Sequence, residues 1–221
     1  MKVTFRKWLA VVWAGGIGGA VALLLFLGWL ADEALEGETL VFDNWASANL
    51  QRHASATLTS VMLAITTMGS TLVLIGLLVI TLVYMLWVGR RRGSLVLAVT
   101  MAGAFLLNAI LKLSFRRARP ESLFGLISPS SFSFPSGHAL LSFSFYGALA
   151  LLLTANLRNQ MQRVAIWLVA SLLVLTIGLS RVYLGMHYAS DVVAGYTAAL
   201  IWLLTVSFIY CKRRGGKRNA E

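Results

Sequence analysis

Charge is scarce in this chain, and negative charge scarcer still. Only 12% of the 221 residues are charged, with 8 Asp and Glu against 19 Lys and Arg. A water-soluble fold covers its surface with about a quarter charged residues, so an ordinary cytosolic domain is excluded. Disorder is excluded too, because disordered chains are poor in apolar and aromatic residues, which here reach 58% and 11%. The single cysteine, Cys211, allows neither an intramolecular disulfide nor a thiolate metal cluster. There is no Asn-x-Ser/Thr sequon, no fixed-period repeat and no low-complexity linker. What remains is an integral membrane protein, read as one domain over residues 1–221. The net charge of +11 would suit nucleic acid. However, the cations sit in short clusters between long apolar runs, as topology signals do, and no nucleic acid partner is expected.

Crossing the hydrocarbon core takes about 20 mostly apolar residues. Six runs qualify, at about 8–31, 69–88, 94–113, 136–155, 164–179 and 188–210. They predict an all-α membrane protein with six transmembrane helices. Between the first two, residues 40–68 mix Asp43, Asn44, Asn49, Gln51 and Arg52 with Leu40, Val41, Phe42, Trp45 and Leu50. That pattern reads as an amphipathic helix on the membrane surface, feeding into the second span. Lys2, Arg6 and Lys7 precede the first run as in a secretory signal, but the run is longer than a signal's core of about 7–15 residues, so an uncleaved anchor is expected. Within it Gly15 and Gly19 form a GxxxG pair, suited to close packing inside the bundle or to dimerisation.

Six spans divide the cations unequally. Thirteen of the nineteen fall with the two termini, the loop of Arg90, Arg91 and Arg92, and the turn holding Arg158 and Arg163. The positive-inside rule makes that side cytoplasmic, with both termini inside. The other six cations lie outside with seven of the eight acids. Five of them sit at or beside span ends: Lys112, Arg116, Arg117 and Arg119 after the third run, Arg181 after the fifth. Only Glu121 and Asp191 are close enough in sequence to pair with them. Such a cluster fits an anionic ligand, since guanidinium groups match phosphate oxygens, or anchoring to anionic headgroups.

Pro135-Ser136-Gly137-His138 opens the fourth span. Proline loses no hydrogen bond at a helix start, and Ser136 and Gly137 are expected to leave bare N–H groups at the positive end of the helix dipole. Such an end is a ready anion site, with His138 in its first turn. A third group is Ser180-Arg181, five residues, His187, three residues, Asp191. Spacing i, i+4 puts His187 and Asp191 on one face if the sixth span begins there. A carboxylate accepting one ring N–H fixes the histidine tautomer and makes the other nitrogen a better nucleophile or base. A structural ion pair of Asp191 with Arg181 or Arg119 is the alternative. Together these groups suit phosphoryl transfer, which needs positioning and charge neutralisation above all. With only Glu121 and Asp191 as acids in the outer loops near these groups, a metal-free histidine mechanism without cofactor is expected.

Lys112-(six residues)-Arg119-Pro120, Pro135-Ser136-Gly137-His138 and Ser180-Arg181-(five)-His187-(three)-Asp191 resemble, in order, the three signatures of the type 2 phosphatidic acid phosphatase superfamily, over residues 112–191. That family includes membrane lipid phosphatases, soluble acid phosphatases and vanadium haloperoxidases. The resemblance implies that His187 is a nucleophile forming a phosphohistidine and that Asp191 orients it. It implies that His138 protonates the leaving group and then activates water. Lys112, Arg119, Arg181, Ser136 and the Gly137 N–H would hold the phosphate oxygens. Arg116 and Arg117 lie outside the motif and read as headgroup contacts or surface charge, and His53 as a surface residue.

The expected protein is a lipid phosphatase of the bacterial inner membrane with its site on the periplasmic or extracellular face. Its partners are the bilayer and a lipid phosphate, and homo-oligomerisation is left open. Phosphatidylglycerol phosphate, undecaprenyl diphosphate and phosphatidic acid all remain candidates. A lipid phosphotransferase with the same histidine chemistry is the main alternative. A transporter fits less well, since its polar groups would gather near mid-membrane. Phe124, Phe132, Phe134, Phe143, Phe145 and Tyr146 surround the central motif and suit either an acyl or prenyl groove or an interfacial belt.

Overall fold

The computed structural model describes residues 2–121, 123, 124 and 130–218, without the side chains of 2–17 and 210–218. It is all helical among the described residues: α1 Lys2–Glu36, α2 Leu40–Gln51, α3 Ala56–Thr67, α4 Thr71–Trp87, α5 Arg91–Phe115, α6 Gly137–Thr154, α7 Gln160–Tyr183 and α8 Ala189–Arg218. Among the described residues five helices are long and apolar enough to cross a membrane: α1 over Gly18–Glu36, α5, α6, α7, and α8 over Ala189–Ile209. A sixth crossing exists only if α3 and α4, bent by 46° at residues 68–70, count as one broken span. Exposed apolar side chains such as Leu72, Trp87 and Val169 cover the outer surfaces, a distribution suited to lipid rather than water. The protein is a multi-pass membrane protein.

Helix α6 lies at the centre, packed between α5, α7 and α8 and buried almost all round. An all-round apolar helix belongs in such a position. Small residues on α8, among them Ala194, Ala198 and Ala199, are fully buried and let the helices approach closely, as membrane packing requires. The helices run alternately up and down, so the end of α5, the start of α6, the end of α7 and the start of α8 meet at one end of the bundle. All three sequence motifs lie on those four helix ends.

Residues 40–68 depart from the expected single surface helix. They form α2 and α3, with Ser55 capping α3 by accepting from Leu58 N. The apolar side chains Val41, Phe42 and Trp45 do face outward, but Asp43 on the opposite face is fully buried. Helix α2 packs on α7 and α8 through Asp43, Ala46, Leu50 and Gln51, while Asn44 and Arg52 stay exposed. Among the described residues, four of the six aromatics around the central motif do not line one common groove. Phe134 and Phe145 are core residues, Phe134 edge-on to Phe115, and Tyr146 donates to the Met68 carbonyl at 3.0 Å. Phe124 instead stacks on Tyr183. Of the GxxxG pair, Gly15 lies outside the described side chains, and a Cβ on Gly19 would meet nothing within 4 Å, so Gly19 makes no close packing inside the bundle.

Candidate active site

His187 does not sit on the last helix but in the turn before it. Gly185, with φ at +68°, makes that turn by adopting the left-handed conformation open to glycine. The Arg181 carbonyl then accepts from the N–H groups of Met186 and His187, at 3.0 and 3.3 Å. Helix α8 starts with the Tyr188 carbonyl accepting from Val192 N, while Asp191 Oδ2 reaches back to Tyr188 N at 3.0 Å. This is the returning half of a capping box. Asp191 is thus fixed by the helix start it closes, fully buried, and its Oδ2 lies 3.4 Å from His187 Nδ1.

The other ring nitrogen faces a cation. Arg119 Nη1 lies 3.0 Å from His187 Nε2, and a guanidinium N–H can only donate. Nε2 therefore accepts, and these partners assign the proton to Nδ1, beside Asp191 and Ser133. Burial is the main cause that lowers the His187 pKa from 6.5 to about 4, and the Asp191 hydrogen bond only partly opposes it. The imidazole is neutral at pH 7, with its lone pair on the nitrogen that faces Arg119. Arg119 is itself held by Ser131 O, Met186 O and Ser131 Oγ, at 2.7, 2.7 and 3.0 Å. Burial lowers the pKa of Arg119 from its ordinary value.

Lys112 and Arg181 complete the cation set. Lys112 Nζ donates to the Phe132 carbonyl, and Arg181 Nη1 donates to Thr66 Oγ1 at 3.0 Å. Lys112, Arg119, Arg181 and His187 all act electrostatically on His138, so the five motif residues share one site. His138 is half-buried and makes no hydrogen bond to another described residue. Ser136 differs from expectation. Its N–H is not bare but donates to the Asp191 carbonyl at 2.9 Å, because α6 and α8 abut at their starts. Its buried hydroxyl, like Arg181 Nε, has no partner among the described residues. Buried polar atoms are nearly always satisfied, and these two donors beside three cations suit an anion's oxygens. Among the described residues no three His, Cys, Asp or Glu side chains converge as a metal site.

Four participants went unread in the sequence. Ser133, fully buried, donates to Asp191 Oδ2 at 2.5 Å and lies 3.3 Å from His187 Nδ1. Asn108, one turn before Lys112 on α5, places its side-chain amide 3.2 Å from where a Gly137 Cβ would stand. Arg117, read as surface or headgroup charge, is buried and bridges Asp43 and Asp191 at 3.1 and 2.7 Å. The acid that pairs it comes from α2, 74 residues away, which proximity in sequence does not reveal. Arg117, rather than Arg181 or Arg119, is thus the cation paired with Asp191. Arg116 and His53 are exposed, as expected.

A family model described as the PAP2 superfamily matches residues 93–214. The phosphatidylglycerophosphatase B of Bacillus subtilis is 32% identical over 150 residues, 67% of this chain and 73% of that protein. A lipid A 1-phosphatase of Rhizobium etli is 33% identical over 138 residues, 58% of this chain and 53% of that protein. The crystal structure of a transmembrane PAP2 type phosphatidylglycerolphosphate phosphatase from Bacillus subtilis superposes with a TM-score of 0.80 at 29% identity, covering 87% of this chain and 96% of that one.

Proposed function

The chain belongs to the PAP2 superfamily, and from that premise we propose that it is a membrane lipid phosphatase working through a phosphohistidine at His187. The carrying observation is the sorted imidazole: proton on Nδ1 toward Asp191, lone pair on Nε2 toward Arg119. The phosphate of a lipid phosphomonoester or diphosphate binds among Lys112, Arg119, Arg181, the Ser136 hydroxyl and the Gly137 N–H. Arg119 transfers a donor from Nε2 to a phosphate oxygen, which frees the lone pair. Nε2 then attacks phosphorus, the bond to the leaving oxygen breaks, and His138 gives that oxygen a proton. In the second half His138 takes a proton from water, water oxygen attacks phosphorus, and the N–P bond breaks to release inorganic phosphate. The guanidinium groups neutralise the charge gathered on the equatorial oxygens.

The named activities of the relatives support lipid phosphates as the substrate class, with phosphatidylglycerol phosphate the first to test. The six apolar runs support six crossings, and the charge count supports cytoplasmic termini with the site on the periplasmic or extracellular face. The missing sequon, the single cysteine and the bacterial relatives suit a bacterial inner membrane. The test is phosphate release by purified protein in detergent with EDTA. Phosphatidylglycerol phosphate, undecaprenyl diphosphate and phosphatidic acid are the substrates, with His187→Ala as control. Release that survives EDTA and vanishes in the variant is expected. Release that needs added magnesium, or that persists without His187, overturns the mechanism.

A further inference from the structure

Asp191 has two carboxylate oxygens with different duties. Oδ2 faces His187 Nδ1, Ser133 Oγ and Tyr188 N. Oδ1 accepts from Arg117 Nη1 at 2.7 Å. An arginine beside a carboxylate ordinarily takes both oxygens in a fork. Arg117 does not, because its second amino group, Nη2, is turned to Asp43 Oδ2 and Thr39 Oγ1, each at 3.1 Å. Asp43 is held in turn from three sides: Thr39 Oγ1 donates at 3.0 Å, Ser190 N at 2.8 Å and Ser190 Oγ at 2.7 Å. The guanidinium also lies 4.2 Å above the Tyr188 ring, which fixes its plane.

We propose that Asp43 is a positioning residue for the His187–Asp191 pair: by holding one arm of Arg117, it confines that guanidinium to Oδ1 and reserves Oδ2 for the histidine. This rests on the phosphohistidine reading above. The arrangement also sets charge. Asp43, Arg117 and Asp191 together carry one net negative charge next to His187. A phosphorylated imidazole with its proton on Nδ1 is cationic, so the trio stabilises the intermediate as it forms. Removing the Asp43 charge makes the trio neutral and frees Arg117 to close on both oxygens of Asp191. The ring then loses its acceptor. Asp43 lies on α2, outside the family-matched residues 93–214. The segment before the family match therefore supplies part of the catalytic support.

The chain has three histidines, so protein labelled with ¹⁵N only at histidine gives a spectrum in which His187→Ala identifies the His187 ring. Wild-type His187 is expected as the Nδ1–H tautomer. Asp43→Asn is expected to give mixed tautomers and to lower kcat by about tenfold or more with little change in KM, the pattern of a lost transition-state interaction. A merely structural ion pair would lower thermal stability and leave the tautomer alone. A folded Asp43→Asn protein with the wild-type tautomer and kcat overturns the proposal. Should that variant not fold, Ser190→Ala keeps every charge and the backbone N–H that Asp43 accepts, but removes the hydroxyl that binds both Asp43 and Arg117, and a tautomer shift of the same sign is expected. An unshifted tautomer there overturns it equally. Turnover that persists in His187→Ala would sink the phosphohistidine reading instead, and the tautomer would still judge Asp43.

Discussion

At His187 the proton and the lone pair are separated by opposite neighbours, a carboxylate on one side and a guanidinium on the other. Its pKa, lowered by burial to about 4, gives a prediction of definite sign. In the proposed mechanism only the neutral ring attacks phosphorus, so the acid limb of kcat/KM that reports His187 is expected near about 4, not at 6.5. A profile measured with the substrate's own titration determined separately checks this, and an acid limb at 6.5 would contradict it. Stability follows the same sign. A histidine with a lowered folded pKa contributes fully above its unfolded value of about 6.5, and that contribution is lost as pH falls toward the folded one. At this scale the residues that meet at the candidate site were legible, because His138, His187, Asp191 and the three cations sit at motif spacings. Ser133 and Asn108 were not, since a serine or an asparagine among apolar residues carries no signal until folding shows which atoms it faces.

Helices α6 and α8 touch so closely at the site that only glycine fits at position 195. A Cβ there would stand 2.7 Å from the Ser136 carbonyl and 3.2 Å from Leu140 N, both backbone atoms that cannot swing aside. Gly195→Ala is expected to push the start of α6 from α8, stretching the Ser136 N to Asp191 O bond. The cost of overpacking is about 1–3 kcal/mol. Thermal melting in detergent should show the loss, and turnover should drop by more than the folded fraction explains. Full activity would mean the two starts tolerate separation. The spans at α5, α6, α7 and α8 were readable within a few residues because apolar length alone marks them. Residues 40–68 were misread because an amphipathic pattern states that one face is polar, and says nothing of whether water or protein meets it.

For the whole molecule, charge bias predicts that Cys211, near the end of α8, lies on the cytoplasmic side, opposite the motifs. A membrane-impermeant maleimide should label Cys211 in inverted vesicles and not in intact cells, while a cysteine introduced at Glu121 should show the reverse. Matching labels for both would reject the orientation. The gathering of three motifs at one end was legible from alternating helix directions. The tie from α2 to α8 was not, because it joins positions 147 apart in the chain. That separation has a consequence for synthesis. A ribosome adding about 5–20 residues per second makes Ser190 roughly 7–30 s after Asp43. Throughout that interval Asp43 has Thr39 beside it but neither Ser190 nor, for the first half, Arg117. Helix α2 must wait in a hydrated place, and the enzyme becomes competent only when its last crossing arrives.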